Sequence, residues 1–321
     1  LAELLRDADP RVRAAAVTAL GATGLDSKQL APVLFSAIED KDLLVRRATV
    51  SALVKLDPVP AEAAPVLVRM LKENDATLRS DAARALGRLR PPSPETIPAL
   101  VSSLNDSDAA VRAATLEAIA DLGPAARDAV PDVAAAVGDN DKAVQIKAVT
   151  ALRAIGPAAE SAVPVLTERM KGRDADLRSA SVLAIASIVS EPKKLVPVLT
   201  EATKDQDWSV RRAAVESLGK IGSPARAAVP SLMELLKNDE DRTTVFTALR
   251  AIDSAEPEAI PILIERLKSD SPFIQSFAAE FLGKLGPAAK DALPELTKLL
   301  DHENNRVRDT AQAAIKKIKG Q

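Results

Sequence analysis

Apolar residues along this chain return on a helical period, and the same short pattern comes back about every 33 residues. An aliphatic residue followed by Arg or Gln marks most copies. These pairs are Val12-Arg13, Val45-Arg46, Leu78-Arg79, Val111-Arg112, Val144-Gln145, Leu177-Arg178, Val210-Arg211, Ile274-Gln275 and Val307-Arg308. Eight residues after each stands Leu or Ile, as at Leu20, Ile119 and Ile315. With the residues four and five after the aliphatic one, these build one apolar stripe on a helix. Three residues before the aliphatic one stands Asp9, Asp42, Asp75, Asp108, Asp141, Asp174, Asp207, Asn238, Ser271 or Asn304. Such side chains accept from the unpaired N–H groups of a first helical turn, so a helix is predicted to start after each. Gly21, Gly87, Gly219 and Gly283 follow the last apolar position and read as helix ends.

A second helix per copy is predicted from proline. Pro32, Pro65, Pro98, Pro131, Pro164, Pro197 and Pro230 stand 33 apart, then Pro261 follows after 31 and Pro294 after 33. Proline fits a first helical turn, where its missing N–H costs nothing. In repeat eight the marker pair is Asp241-Arg242, eleven residues after Pro230, so two residues are missing between that repeat's helices. Ten copies result.

Thirty-three residues also suits ankyrin and nearly suits the tetratricopeptide repeat. Ankyrin needs a His in every copy, and the chain has one; the tetratricopeptide pattern needs Tyr, and the chain has none. The Asp-x-Asp-x-x-Val-Arg-x-Ala-Ala run at Asp7–Ala16 and the Gly-Pro-Ala-Ala…Pro link at Gly123–Pro131, Gly156–Pro164 and Gly286–Pro294 resemble the short bacterial HEAT-like repeat, the kind named after phycobilisome lyase subunits. The resemblance implies an all-α, right-handed α-α superhelix of antiparallel helix pairs. It would run as a single solenoid over residues 1–321, about ten repeats and, at about 10 Å per repeat, roughly 100 Å long. The first repeat is cut short and leaves an apolar edge that could self-associate; the last is a polar cap. In such families an arginine ladder ties repeats together. Here that row is Arg13, Arg46, Arg79, Arg112, Arg178, Arg211, Arg242 and Arg308. Its acids are Asp7, Asp40, Glu73, Asp106, Asp139 and Asp205.

Composition narrows the chemistry. Hydrophobic residues make up 47% of the chain but aromatics 2%, and Cys is absent. Disulfides and thiol chemistry are therefore excluded. One His cannot assemble a multi-histidine metal site or a His-based nucleophile set. His302 reads as a solvated turn residue. The repeated Asp-x-Asp supplies too few oxygens per turn for calcium, since one carboxylate is committed to capping. No phosphate loop of Gly-x-x-x-x-Gly-Lys type occurs. Charges nearly balance at 43 basic and 45 acidic residues, without the basic footprint of a nucleic-acid binder. No membrane insertion, enzyme activity or cofactor is expected. No signal peptide is legible in the chain as given, and the compartment is unread.

A repeat protein carries function where its copies differ on the exposed face. In the second helix, positions two and six after the aliphatic one point most nearly away from the core on a helical wheel. The resemblance makes these the concave surface. They are mixed in charge, with Ile146 and Leu183 as apolar exceptions. Phe273, Phe277 and Phe281 form a stripe four apart, next to Phe246. They read either as an aromatic anchor for a partner or as repacking of the shortened repeat. Trp208 reads as a lid on a helix start or as a binding anchor. The leading expectation is a non-enzymatic scaffold that binds a protein or peptide. The alternatives are an architectural or regulatory module of a larger protein, or an accessory subunit resembling a chromophore lyase.

Overall fold

The computed structural model describes residues 3–23, 27–56, 59–236, 241–252 and 257–321. They form helices grouped into two compact units, Leu1–Ile188 and Val189–Gln321. Unit 1 holds α1 (Pro10–Gly21), α2 (Ser27–Ala37), α3 (Leu43–Val54), α4 (Ala64–Met70), α5 (Ala76–Gly87), α6 (Thr96–Ser103), α7 (Ala109–Leu122), α8 (Val130–Ala136), α9 (Lys142–Ile155), α10 (Val163–Arg169) and α11 (Ala175–Ile188). Unit 2 holds α12 (Pro192–Ala202), α13 (Trp208–Ile221), α14 (Val229–Leu235), α15 (Arg242–Ile252), α16 (Ile260–Arg266), α17 (Pro272–Leu285), α18 (Leu293–Lys298) and α19 (Asn305–Lys319). Odd-numbered helices are the second helix of each repeat. Among the described residues, no helix is long and apolar enough to cross a membrane.

The second helices begin where the sequence places them. Asp9, Asp42, Asp75, Asp108, Asp141, Asp207 and Asn304 are extended, and each side chain accepts a first-turn N–H. Asp174 does the same for the Leu177 N–H at 3.0 Å. Ser271 precedes α17 without such a bond. Asn238 lies outside the described residues.

The first helices of α4, α8, α10, α14, α16 and α18 are one to two turns long, with proline in the first turn. The Gly-Pro-Ala-Ala link forms a 3-10 segment before α8, α10 and α18. Its glycine turns the chain in a left-handed conformation, φ 57° at Gly123 and 73° at Gly156. Pro32 and Pro197 depart from the expected placement. They sit inside α2 and α12, because these helices start earlier, and no Gly-Pro-Ala-Ala link precedes them.

The glycines after the apolar stripe also need correction. Gly21 and Gly87 do end helices, but Gly219 and Gly283 lie inside α13 and α17. What the four share is a close neighbour. A Cβ on Gly87 would lie 2.5 Å from the Ala118 Cα, on Gly283 2.9 Å from the Ala314 Cα, and on Gly219 3.0 Å from the Ala248 Cα. On Gly21 it would lie 3.0 Å from the Ala52 Cβ. At these four junctions consecutive second helices thus pack backbone to backbone, small residue against small residue. Gly87→Ala should destabilise unit 1 by about 1–2 kcal/mol in urea unfolding, because overpacking outweighs the roughly 1 kcal/mol that alanine gains in helix propensity. A more stable variant would show that this junction has slack.

Within unit 2, one junction differs. Backbone approach between α15 and α17 is slight, unlike that between α13 and α15 or α17 and α19. Phe246, Phe277 and Phe281 fill that wider gap.

Candidate functional site

The arginine row is the most regular polar feature. Arg13 donates from Nε and Nη2 to the two Asp40 carboxylate oxygens at 2.7 and 2.9 Å. Its Nη1 donates to the Asp7 and Ala8 carbonyls at 2.7 and 3.1 Å. Arg79 with Asp106 and Arg112 with Asp139 repeat both halves, with the same 2.7 and 2.9 Å to the carboxylate. Each guanidinium therefore closes its own turn and grips the next repeat, a use of its rigid fork that lysine could not match. The hydrogen bonds from Arg13, Arg79 and Arg112 hold the Asp40, Asp106 and Asp139 carboxyls below the usual carboxylate range, against the opposing pull of burial.

The same acids close the turn in front of them. Asp7, Asp40, Asp106, Asp139 and Asp205 each accept the N–H of the residue two places on, at 2.8–2.9 Å. Ser269 and His302 take that place in later repeats, accepting from Ser271 and Asn304 at 3.3 and 3.0 Å. His302 is thus a turn-closing acceptor through Nδ1. No group of three or more His, Asp or Glu side chains placed to hold a metal ion occurs among the described residues.

The other rungs vary. Arg46 reaches Glu73 through one oxygen at 3.4 Å. Arg178 donates to the Gly172 and Arg173 carbonyls, both at 3.0 Å, and Arg308 to the His302 and Glu303 carbonyls. Arg211 grips Asp241 at 2.8 Å as well as its own turn. Asp241 stands in the aliphatic place of its helix and is 3% exposed. Sequence reasoning missed it as a ladder acid, because it follows Arg211 by 30 residues instead of 27. The shortened repeat was the available signal. Arg242 stands at the start of α15, directly after it.

The aromatic candidates divide. Phe277 and Phe281 are 1% and 0% exposed and cannot meet a partner, which corrects the anchor reading for these two. They face the gap between α15 and α17, where Phe246 meets Phe277 at 4.2 Å and Phe281 stacks on Phe277 at 4.4 Å. Rings of this size fit where the other repeats carry alanine because these two helices stand apart. Phe273 differs. It is 43% exposed, its ring meets Phe246 edge-on at 5.0 Å, and the Arg306 guanidinium lies 5.9 Å from its centroid. Trp208, at the first residue of α13, is 48% exposed with Arg212 5.7 Å from its ring.

Ile146 and Leu183 are half-buried. The outward row two places after the aliphatic position is only partly outward, since Ala14, Ser80 and Ser276 are buried in it. A single-helix wheel does not include the neighbouring helices that bury residues from outside. In the row six places after, no residue is buried. Three residues of these rows, Glu216, Thr243 and Thr247, line a groove of about 430 Å³ with Lys220 and Ala251 between α13 and α15.

Comparison with known proteins agrees with this architecture. The family model for HEAT repeats matches residues 1–87, 97–186, 163–253 and 230–316. The model for the PBS lyase HEAT-like repeat matches residues 78–106. No curated protein matches the chain. Among solved structures, the crystal structure of an engineered protein from the Northeast Structural Genomics Consortium is similar. It is 25% identical, with a TM-score of 0.60, over 99% of this chain and 98% of that one. The tandem matches span most of the residues from α1 to α19, and the chain belongs to the HEAT-repeat family.

Proposed function

We propose that this chain is a non-catalytic scaffold that binds a protein or peptide, with Phe273 as the anchor of one contact surface. The scaffold part rests on the family, whose solenoids commonly bind protein partners. The site rests on one observation: Phe273 is 43% exposed in a chain with 2% aromatics. Its ring is held edge-on by buried Phe246 and flanked by Arg306. Aromatic residues and arginine are enriched at protein interfaces, and an aromatic ring buries much area on association. Trp208 with Arg212 offers a second pairing of this kind within unit 2.

The test compares wild type with Phe273→Asp in a crosslinking capture, with circular dichroism to show that both are folded. Loss of one captured partner by at least tenfold, with helicity unchanged, is expected. Equal capture by both proteins would remove Phe273 from the binding surface.

A further inference from the structure

One rung of the ladder is altered at both ends. Gln145 stands where the flanking repeats carry Arg112 and Arg178, and 27 residues on, Gly172 stands where they carry Asp139 and Asp205. Gln145 keeps half of the arginine's role, since its Nε2 donates to the Asp139 carbonyl at 2.5 Å. Gly172 brings no carboxylate. The Asp174 N–H therefore lacks the acceptor that the Asp42, Asp108 and Asp141 N–H groups meet at 2.8–2.9 Å.

A cavity of about 680 Å³ opens at this rung, lined on its polar side by Gln145, Glu168, Arg169, Gly172, Arg173 and Asp174. Its carboxylates are already matched. Glu168 pairs with Lys171 at 2.7 Å and Asp174 with Lys142 at 2.6 Å. Arg169 and Arg173 have no carboxylate partner among the described residues. The uncompensated charge of the lining is positive, and its backbone donor is the one a carboxylate satisfies in the sister turns. Pro164, Val165 and Leu177 add an apolar wall. The volume lies in the range of ligand pockets and far exceeds one carboxylate, so it suits an acidic residue together with its apolar neighbours.

We propose that this cavity receives an Asp or Glu side chain of a peptide partner, its carboxylate set where a side chain at position 172 would stand. One oxygen accepts the Asp174 N–H. The other faces the second N–H of Gln145 Nε2, with the exposed Arg173 closing the charge. The partner supplies in trans the acid that the other repeats carry in cis. The site shares with the Phe273 surface only the reading that the partner is a peptide. It lies in unit 1, so the Phe273→Asp result leaves it standing or falling on its own test.

That test is an NMR titration of the full ¹⁵N-labelled chain with an acetylated, amidated Ala-Val-Asp-Leu-Ala peptide. The same peptide with Asn for Asp and inorganic phosphate are the comparisons. Saturable shifts of the Asp174 backbone amide and the Gln145 side-chain amide are expected with the Asp peptide, at least tenfold weaker with the Asn peptide. Gly172→Asp should abolish them by filling the place internally. A Cβ there would approach the Arg169 carbonyl at 3.1 Å, a modest crowding. Arg173→Ala alters an exposed side chain and decides the matter if Gly172→Asp does not fold; it should weaken binding several-fold. Equal shifts with both peptides, no shift at all, or unchanged binding in folded Gly172→Asp or in Arg173→Ala would overturn the proposal. So would phosphate matching the Asp peptide, which would make this a free-anion site.

Discussion

Phe277→Ala should lower the stability of unit 2 by about 3–5 kcal/mol, seen as an earlier denaturant midpoint with unchanged cooperativity. Phe277 is 1% exposed, between Phe246 at 4.2 Å and Phe281 at 4.4 Å. Alanine is the usual residue at this place in the other second helices, such as Ala114 and Ala213. There it packs against a helix close by. Here α15 and α17 make little backbone approach, so an alanine would face a void. The loss has two parts, the transfer of a phenyl ring out of water and the cavity it leaves. Phe273→Ala is the control. Its ring is 43% exposed and should cost under about 1 kcal/mol. A loss below about 1 kcal/mol for Phe277→Ala would mean that the two helices can close to the spacing of the other repeats.

This junction also shows what a sequence pattern can carry. The repeat itself was legible, because capping residues and the apolar stripe are local and recur in ten copies, and the proline in nine. Asp108 and Asp141 cap α7 and α9 for reasons contained in a few residues. The glycines were harder. Gly219 and Gly283 look like helix ends in sequence, yet their role is the approach of Ala248 and Ala314 from the next repeat. Phe277 and Phe273 are four residues apart, and periodicity puts them on one stripe. Only the neighbouring helix separates them, since Phe246 covers one side of the stripe and leaves the Phe273 end open. Asp241 was obscured by a change of register, because its bond to Arg211 spans a shortened repeat. The information missing from the sequence was in each case the distance to the next repeat.

Asp106→Ala tests the ladder at its best-formed rung and should cost about 2–3 kcal/mol. An exposed ion pair is worth no more than about 1 kcal/mol. This pair is different, because both side chains are only 13% exposed and the contact is bidentate, at 2.7 and 2.9 Å. Removing the acid strands the Arg79 guanidinium in a half-buried place, which costs more than the pair itself contributes. The loss is tempered because Arg79 keeps its bonds to the Glu73 and Asn74 carbonyls at 2.8 and 3.0 Å. It is increased because the Asp108 N–H loses its acceptor. Acid titration gives an independent reading. The hydrogen bond from Arg79 holds the Asp106 carboxyl below its ordinary value, and Asp40 and Asp139 are held down in the same way by Arg13 and Arg112. A carboxyl with a lowered folded value binds its proton less readily when folded than when unfolded. Its contribution is therefore complete above the unfolded value of about 4, and it is lost as pH falls through the lower folded value. Wild-type stability should be flat from neutral pH down to about 5 as far as these rungs are concerned, then fall below about 4. In Asp106→Ala one of these groups is gone, so the fall should be shallower and start from a lower plateau. A variant with the wild-type acid slope would mean that the rung does not couple charge to folding. Its regular geometry would then reflect the packing of the helices and not a force that holds them together.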